Sequence, residues 1–133
     1  MPSFRAPRGT YDILPEEQPY WMFAMRTAAE TASRFGYGRI DTPMFESTDL
    51  FERGVGDSTD IVQKEMYTFE DHGGDSMTLR PEGTAGVCRA YIEHGLHNRP
   101  QPVRMYYAAN FFRYERPQAG RFRQFAQFGV EAI

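Results

Sequence analysis

Arg113, Glu115, Arg121 and Phe125 fall together in "FFRYERPQAGRFRQFAQFGVEAI", residues 111–133. A cation, an acid, a second cation and a flat ring at such spacing suit a ligand that is both charged and planar. The surroundings sharpen this. From Arg99 to Gln124 the arginines are Arg99, Arg104, Arg113, Arg116, Arg121 and Arg123, against the single acid Glu115. Six positive charges against one negative leave that segment near +5, and with a net charge of −3 the remainder holds about −8. Guanidinium forks match phosphate oxygens, so a basic island on an acidic body suggests a local anion site, phosphate above all. A solvated arginine face paired with nearby acids is the other reading that the charge pattern allows.

Strand alternation sorts these residues onto faces. On the first strand of a terminal hairpin Phe111, Arg113 and Glu115 share one face, with Phe112 and Tyr114 opposite. On the second, Phe125, Gln127, Gly129 and Glu131 share a face, and Ala126, Phe128, Val130 and Ala132 form an apolar opposite face that is expected to be core. The first set offers a cation, two carboxylates, an amide, a ring and a glycine gap, an inventory for a ligand with a phosphate, an amine and a planar ring. An ordinary solvent face with Arg–Glu cross-strand pairs would carry the same pattern.

The rest of the chain must position this hairpin. It has 133 residues, 41% hydrophobic and 25% charged, which fits one globular domain. No apolar run approaches the roughly 18 residues of a membrane span. The start "MPSFRAPRGTYDILPEE" lacks the apolar stretch of a secretory signal. Cys88 is the sole cysteine, which excludes an internal disulfide framework and fits a reducing cytoplasm. The mild acidity argues against non-specific nucleic-acid binding.

Between Pro15 and Gly36, Trp21, Met25, Ala28, Ala32 and Phe35 recur at spacings of four and three, an amphipathic helix ended by a glycine cap. "GYGRIDTPMF" predicts a short strand, Arg39 to Asp41, stopped near Pro43, and "DLFERGVG" a helical turn ending in glycines. Two strands should flank the turn Asp71-His72-Gly73-Gly74. Helix returns from Gly83 to about His94 with Val87, Tyr91 and Ala90 inward, and strand from about Val103, interrupted by the turn "RPQAG". Hairpins with helices to one side predict an α+β fold, an antiparallel sheet flanked by helices.

Other chemistries fit less well. Cys88 and His94 are six apart on a helix, which is not one face, and with His97 they still lack a fourth zinc ligand. "GVGDST" has Gly-x-Gly without a leading strand or third glycine. No nucleophile elbow surrounds Ser58, and Asp60 and the histidines complete no hydrolase constellation.

"FFRYERPQAGRFRQFAQFGVEAI" resembles motif 2 of the class II aminoacyl-tRNA synthetases (about 111–131), and "GYGRIDTPMF" resembles motif 1 (about 36–45). "RGTYDILPEE" and "KEMYTFEDHGGDSMTLRPEGTAGVCRAYIEHGL" narrow the resemblance to the histidyl-tRNA synthetase family, over essentially the whole chain from Arg8 to Ile133. The resemblance implies the N-terminal portion of a catalytic domain, residues 1–133. Motif 3, the histidine-specific block and the anticodon-binding domain of complete members are not among them.

It also implies roles. Histidine's carboxylate attacks the α-phosphate of ATP, and the activated histidine then passes to the 3′ end of tRNA(His). Arg113 would hold the α-phosphate and the substrate carboxylate, as the catalytic residue. Glu115 would face the adenine amino edge, Phe125 would stack on the ring, and Arg121 would reach the outer phosphates, a load shared with Mg²⁺. The histidine ammonium would meet Glu82, Thr84 and Gln127, and the imidazole would donate to Glu131. Gly83 and Gly129 would allow close backbone approach to the ligand. Arg116 and Gln118 would contact the tRNA acceptor end, and motif 1 would form a homodimer, in the cytoplasm and away from any membrane. Glu82 alone could equally begin a helix, where an acid complements the dipole. Two other readings share the motifs: the synthetase-like regulatory paralogue of histidine biosynthesis, and a non-catalytic dimerisation or RNA-contact module. Intact Arg113, Glu115, Arg121, Gln127 and Glu131 favour the enzyme.

Overall fold

The computed structural model describes residues 3–54, 64–116 and 118–133. Residues 55–63, which include Ser58, Asp60 and most of "GVGDST", lie outside the described residues, as does Pro117.

Helix α1 spans Gln18–Arg34, with Pro19 rather than Pro15 in its first turn. Pro15 belongs to the turn before it, where the Glu17 N–H donates to Leu14 O at 2.9 Å. The helix closes as expected: Gly36 takes φ +79°, and the Tyr37 N–H donates to Ala32 O at 3.0 Å. Its stripe is only partly covered, with Ala32 buried and Phe35 69% exposed. Strand β1, Gly38–Arg39, leads to β2, Phe45–Ser47, and helix α2, Thr48–Gly54. The hairpin of β3, Thr68–Glu70, and β4, Ser76–Leu79, turns on Asp71, whose Oδ1 accepts the Gly73 and Asp75 N–H groups at 2.9 Å each. Helix α3 spans Thr84–Glu93, with Val87 and Ala90 buried as predicted, followed by a 3₁₀ turn at Leu96–Asn98. Strands β5, Arg104–Phe112, and β6, Gln124–Ala132, form the terminal hairpin.

The strands make two sheets rather than one. The order β1-β5-β6 joins the ends of the sequence, and β2-β4-β3 forms a second sheet between them. The fold is α+β, with one parallel pair: β1 lies beside β5 in the register Gly38↔Met105 and Arg39↔Tyr106. A parallel pair needs a long crossover, and here the second sheet, α2 and α3 supply it.

Arg80 fastens the two sheets together. It is 6% exposed, and its Nε donates to Asn110 O at 2.8 Å and its Nη1 to Thr42 O at 2.8 Å. Its own N–H donates to Met44 O at 2.9 Å, and its carbonyl accepts the Phe112 N–H at 3.0 Å. The guanidinium lies 4.9 Å from the Phe111 ring centre. In the second sheet Thr78, fully buried, shares hydroxyl bonds of 2.9 Å with Thr48 and Thr68, so its polar atom is satisfied.

The core sits on the opposite face of the terminal hairpin from the one expected. Val87 and Leu96 pack on the side bearing Met105, Tyr107 and Phe111, with Phe125 half-buried against them. The apolar face of β6 is open: Phe128 is 44% and Val130 48% exposed. Alternation correctly separated the two faces, but not which of them α3 covers. On the reverse side α1 packs against β1 and β5.

Candidate functional site

Strand β5 ends at Phe112, so Arg113 and Glu115 are not strand residues as the alternation suggested. The chain folds tightly there instead. The Arg113 N–H donates to Arg123 O at 2.9 Å, and the Glu115 N–H to Arg113 O at 2.8 Å. This turn places both side chains over the start of β6. Arg113, Glu115, Arg121 and Phe125 line one cleft of about 720 Å³, joined by Tyr11, Trp21, Glu65, Pro81, Gly120, Phe122 and Ala126. The Arg113 guanidinium carbon is 5.3 Å from the Phe125 ring centre, and its Nε donates to Pro81 O at 2.9 Å. Glu115 stands 4.0 Å from Arg113 Nη1 and is half-buried. Arg121 is exposed at the end of the loop, where its N–H donates to Gln118 O at 3.0 Å. Arg116 and Gln118 are exposed in the same loop.

The arginine island therefore divides by role. Arg123 packs within the protein: its guanidinium lies 4.0 Å from the Tyr114 ring centre and its Nε donates to Glu115 O at 3.1 Å. Its N–H donates to Gly9 O at 2.8 Å, and a Cβ at Gly9 would meet the Arg123 Cγ at 2.7 Å. The segment before α1 is thus bound to the start of β6, and Tyr11 meets Phe122 with ring centres 4.9 Å apart. Sequence reasoning missed Tyr11, Trp21, Glu65 and Phe122 as walls of this cleft. Nothing in local spacing could reveal Tyr11, Trp21 and Glu65, brought in from far along the chain, whereas Phe122 is the neighbour of Arg121.

A second group gathers where α3 begins. Thr84 Oγ1 donates to Glu131 Oε1 at 2.6 Å, tying the helix to β6. Glu82 takes the helix-starting role that its position allowed: its carboxylate accepts the Thr84 N–H at 2.6 Å and the Ala85 N–H at 3.0 Å. Gln127 is exposed and lies between Phe125 and Gly129 on the same face of β6. Gly83 and Gly129 share a neighbour within the protein. The room beside each is filled by the ring of Tyr107, which a Cβ at either position would overlap, so these glycines accommodate a protein side chain. Tyr107 faces Gly129 directly in the β5–β6 register. A glycine in a strand interior was the available signal for a bulky neighbour.

Electrostatics follow from this packing. Burial pushes the Tyr107 phenol above its ordinary pKa, and the Glu131 charge pushes it further. The Cys88 thiol is raised in the same way, by burial first and then by Glu131 and Glu82. Leu50, Glu82, Thr84, Ala85, Cys88, Arg89, Ile92 and Glu93 border a second, more apolar hollow of about 600 Å³ on the outer side of α3. Among the described residues no helix is long and apolar enough to cross a membrane.

Known proteins match the chain over nearly its whole length. The family model described as histidyl-tRNA synthetase matches residues 9–133. The histidine–tRNA ligase of Dehalococcoides mccartyi (strain BAV1) is 64% identical over 130 residues, and that of Geobacillus thermodenitrificans 63% over 132. Each alignment covers 98% of this chain and 31% of the relative, so the chain spans about a third of the length of the curated relatives it matches. Among solved structures, apo histidyl-tRNA synthetase of S. aureus superimposes with a TM-score of 0.82 at 47% identity, covering 98% of this chain and 29% of that one. A protein from Bacillus halodurans C, described as an ATP phosphoribosyltransferase regulatory subunit/histidyl-tRNA synthetase, gives 0.79 at 29% identity, with coverage of 98% and 32%. With residues 9–133 matched by the family model, the chain belongs to the histidyl-tRNA synthetase family.

Proposed function

We propose that this chain, as the N-terminal portion of a catalytic domain (residues 1–133), supplies one wall of the ATP and histidine pocket of a histidine–tRNA ligase. The observation that carries the reading is the convergence of Arg113, Glu115, Arg121 and Phe125 on a single cleft. Arg113 is suited to bridge the α-phosphate and the histidine carboxylate, because its Nε anchor on Pro81 leaves the other guanidinium nitrogens to face the cleft. Phe125 offers a ring face for adenine, Glu115 an acceptor for its amino group, and Arg121 an exposed cation for the outer phosphates. Such chemistry depends on positioning and charge neutralisation more than on a protein nucleophile.

Histidine would lie along β6, its ammonium near Glu82, Thr84 and Gln127 and its imidazole toward Glu131. Glu65 and Glu115 are the carboxylates lining the cleft, and no group of three or more His, Cys, Asp or Glu among the described residues could hold an ion alone. The donor set therefore suits Mg²⁺ arriving on the phosphates, where it would neutralise part of their charge. Arg116 and Gln118 would meet the acceptor end of tRNA(His). A homodimer through residues 36–45 and a cytoplasmic location complete the proposal. The regulatory reading has support from the Bacillus halodurans C neighbour, at 29% identity against 64% for a ligase.

The test is equilibrium binding of ATP to the chain and to Arg113→Ala, followed by histidine-dependent exchange of pyrophosphate into ATP with both. ATP binding that weakens at least about tenfold in the variant, the scale of a lost charged hydrogen bond, is the expected result. Equal binding by both, or none by the parent, would sink the reading. Exchange that is equal in both would mark a contaminating synthetase.

A further inference from the structure

The stretch that precedes α1 reaches the cleft from outside the hairpin and meets its loop at two consecutive residues. The Arg123 N–H donates to Gly9 O at 2.8 Å, and the Tyr11 ring centre lies 4.9 Å from that of Phe122, with the planes at 54°. This stretch is itself closed into a turn. The Thr10 N–H and hydroxyl both donate to Pro7 O, at 3.0 and 2.7 Å. Gly9 takes φ +82°, and the Arg123 side chain lies over it. The loop thus rests on a support with its own internal bonds.

On the hairpin side the two held residues directly follow Arg121. Before it, Gly120 turns at φ +76°, and Gln118 O accepts the Arg121 N–H at 3.0 Å. Arg121 therefore sits between a local turn and a pair of contacts to residues 9–11. Tyr11 and Phe122 are 44% and 37% exposed, so their contact buries little apolar area and adds little to the stability of the fold. What it fixes is the place of residue 122, and through it the point from which the Arg121 side chain swings. All three residues line the same cleft.

We infer that Tyr11 is a positioning residue for Arg121, holding the end of the loop through Phe122 so that the guanidinium sweeps the cleft rather than open solvent. The inference rests on the reading of Arg121 as the cation for the outer phosphates of ATP. The Arg121 side chain keeps its freedom to pivot, and only its origin is held. The role belongs to the ring of Tyr11, because the contact with Phe122 is ring to ring. A residue more than a hundred positions from the loop thereby decides how well the loop serves the polyphosphate.

The experiment measures ATP and AMP binding by calorimetric titration of the chain, Tyr11→Ala, Arg121→Ala and the double variant. AMP carries the α-phosphate alone, so it reports on Arg113 without Arg121. The parent should prefer ATP. Tyr11→Ala should weaken ATP binding about five- to tenfold and leave AMP within about twofold. Arg121→Ala should give the same pattern, and Tyr11→Ala added to it should cost nothing further, since both remove one interaction. Tyr11→Phe, which keeps the ring, should restore the affinity for ATP. Equal losses for ATP and AMP, or a Tyr11→Ala loss that persists in the Arg121→Ala background, would make Tyr11 a general wall of the cleft and overturn the inference alone. A Tyr11→Phe variant as weak as Tyr11→Ala would do so too. A parent without preference for ATP, or an Arg121→Ala variant that binds like the parent, would overturn the outer-phosphate reading and this inference together. Phe122→Ala removes the same contact from the loop side and keeps the question answerable if Tyr11→Ala fails to fold. It should reproduce the ATP-specific loss; a loss shared by AMP, or no loss, counts against the role.

Discussion

The two ends of the β5–β6 hairpin are built on different principles. At the Phe125 end, long cationic side chains border an open cleft and few of their donors are used: Arg113 has one firm anchor, and Arg121 is exposed. At the Glu131 end, short side chains are closely packed and already bonded to one another, with Tyr107 wedged between two glycines and Thr84 on Glu131. A polyphosphate is flexible and strongly charged, so cations that can pivot serve it well. An imidazole is small, and telling it from other rings demands acceptors fixed in place before it arrives. Charge can be supplied loosely, but discrimination needs rigidity.

Several substitutions would break or sharpen this contrast. Phe111 is 1% exposed and lies between the two ends, touching both Tyr107 and Phe125. Phe111→Ala should therefore destabilise the chain by about 3–5 kcal/mol in urea unfolding, more than any change confined to one end. Gly129→Ala comes next, at about 1–3 kcal/mol, because the new methyl overlaps the Tyr107 ring. A loss under about 0.5 kcal/mol would mean that the Glu131 end yields as easily as the open cleft.

A pH titration gives a smaller effect confined to the packed end. Cys88 and Tyr107 both have folded-state pKa values above their ordinary ones, from burial first and Glu131 second. The unfolded chain thus releases these protons at lower pH than the folded chain. Their contribution is intact below the ordinary values and is lost as pH climbs through the folded ones. The urea midpoint should fall above about pH 8.5, where a free thiol begins to ionise, and further above about pH 10. Cys88→Ala should remove the first part and Tyr107→Phe the second; unchanged profiles would show that neither proton is held by the fold. Smallest in stability is Arg121→Ala, within about 0.5 kcal/mol of the parent. That variant should nonetheless bind ATP less tightly, and a matching loss in both measurements would mean that Arg121 is structural.

The hairpins, the main helices and the site motifs were legible because each is written in neighbouring residues. The glycine after Phe35 and the Asp71 turn are local chemistry, and both formed as read. Three things were not legible, for a shared physical reason. Which face of β6 is covered depends on where α3 crosses, and alternation does not encode that. The parallel pairing of Gly38 with Met105 depends on a crossover of about half the chain. Tyr107 at the Glu131 end depends on register between strands, which places it against Gly129. Arg80 and Arg123 show the same limit, since composition counts an arginine without saying whether its donors are spent on carbonyl oxygens.

The bond from Arg123 to the carbonyl of Gly9 also has a consequence in time. A chain emerging from the ribosome delivers Gly9 and Tyr11 more than a hundred residues before their partners Arg123 and Phe122. Strand β1 waits in the same way for β5. Contacts between such distant stretches fold slowly, because the whole intervening loop must close before they form. Tyr11 must therefore remain unpaired until Phe122 has been made. Slowing translation over β5 and β6 should therefore lengthen the period in which the nascent chain is open to aggregation and chaperone capture.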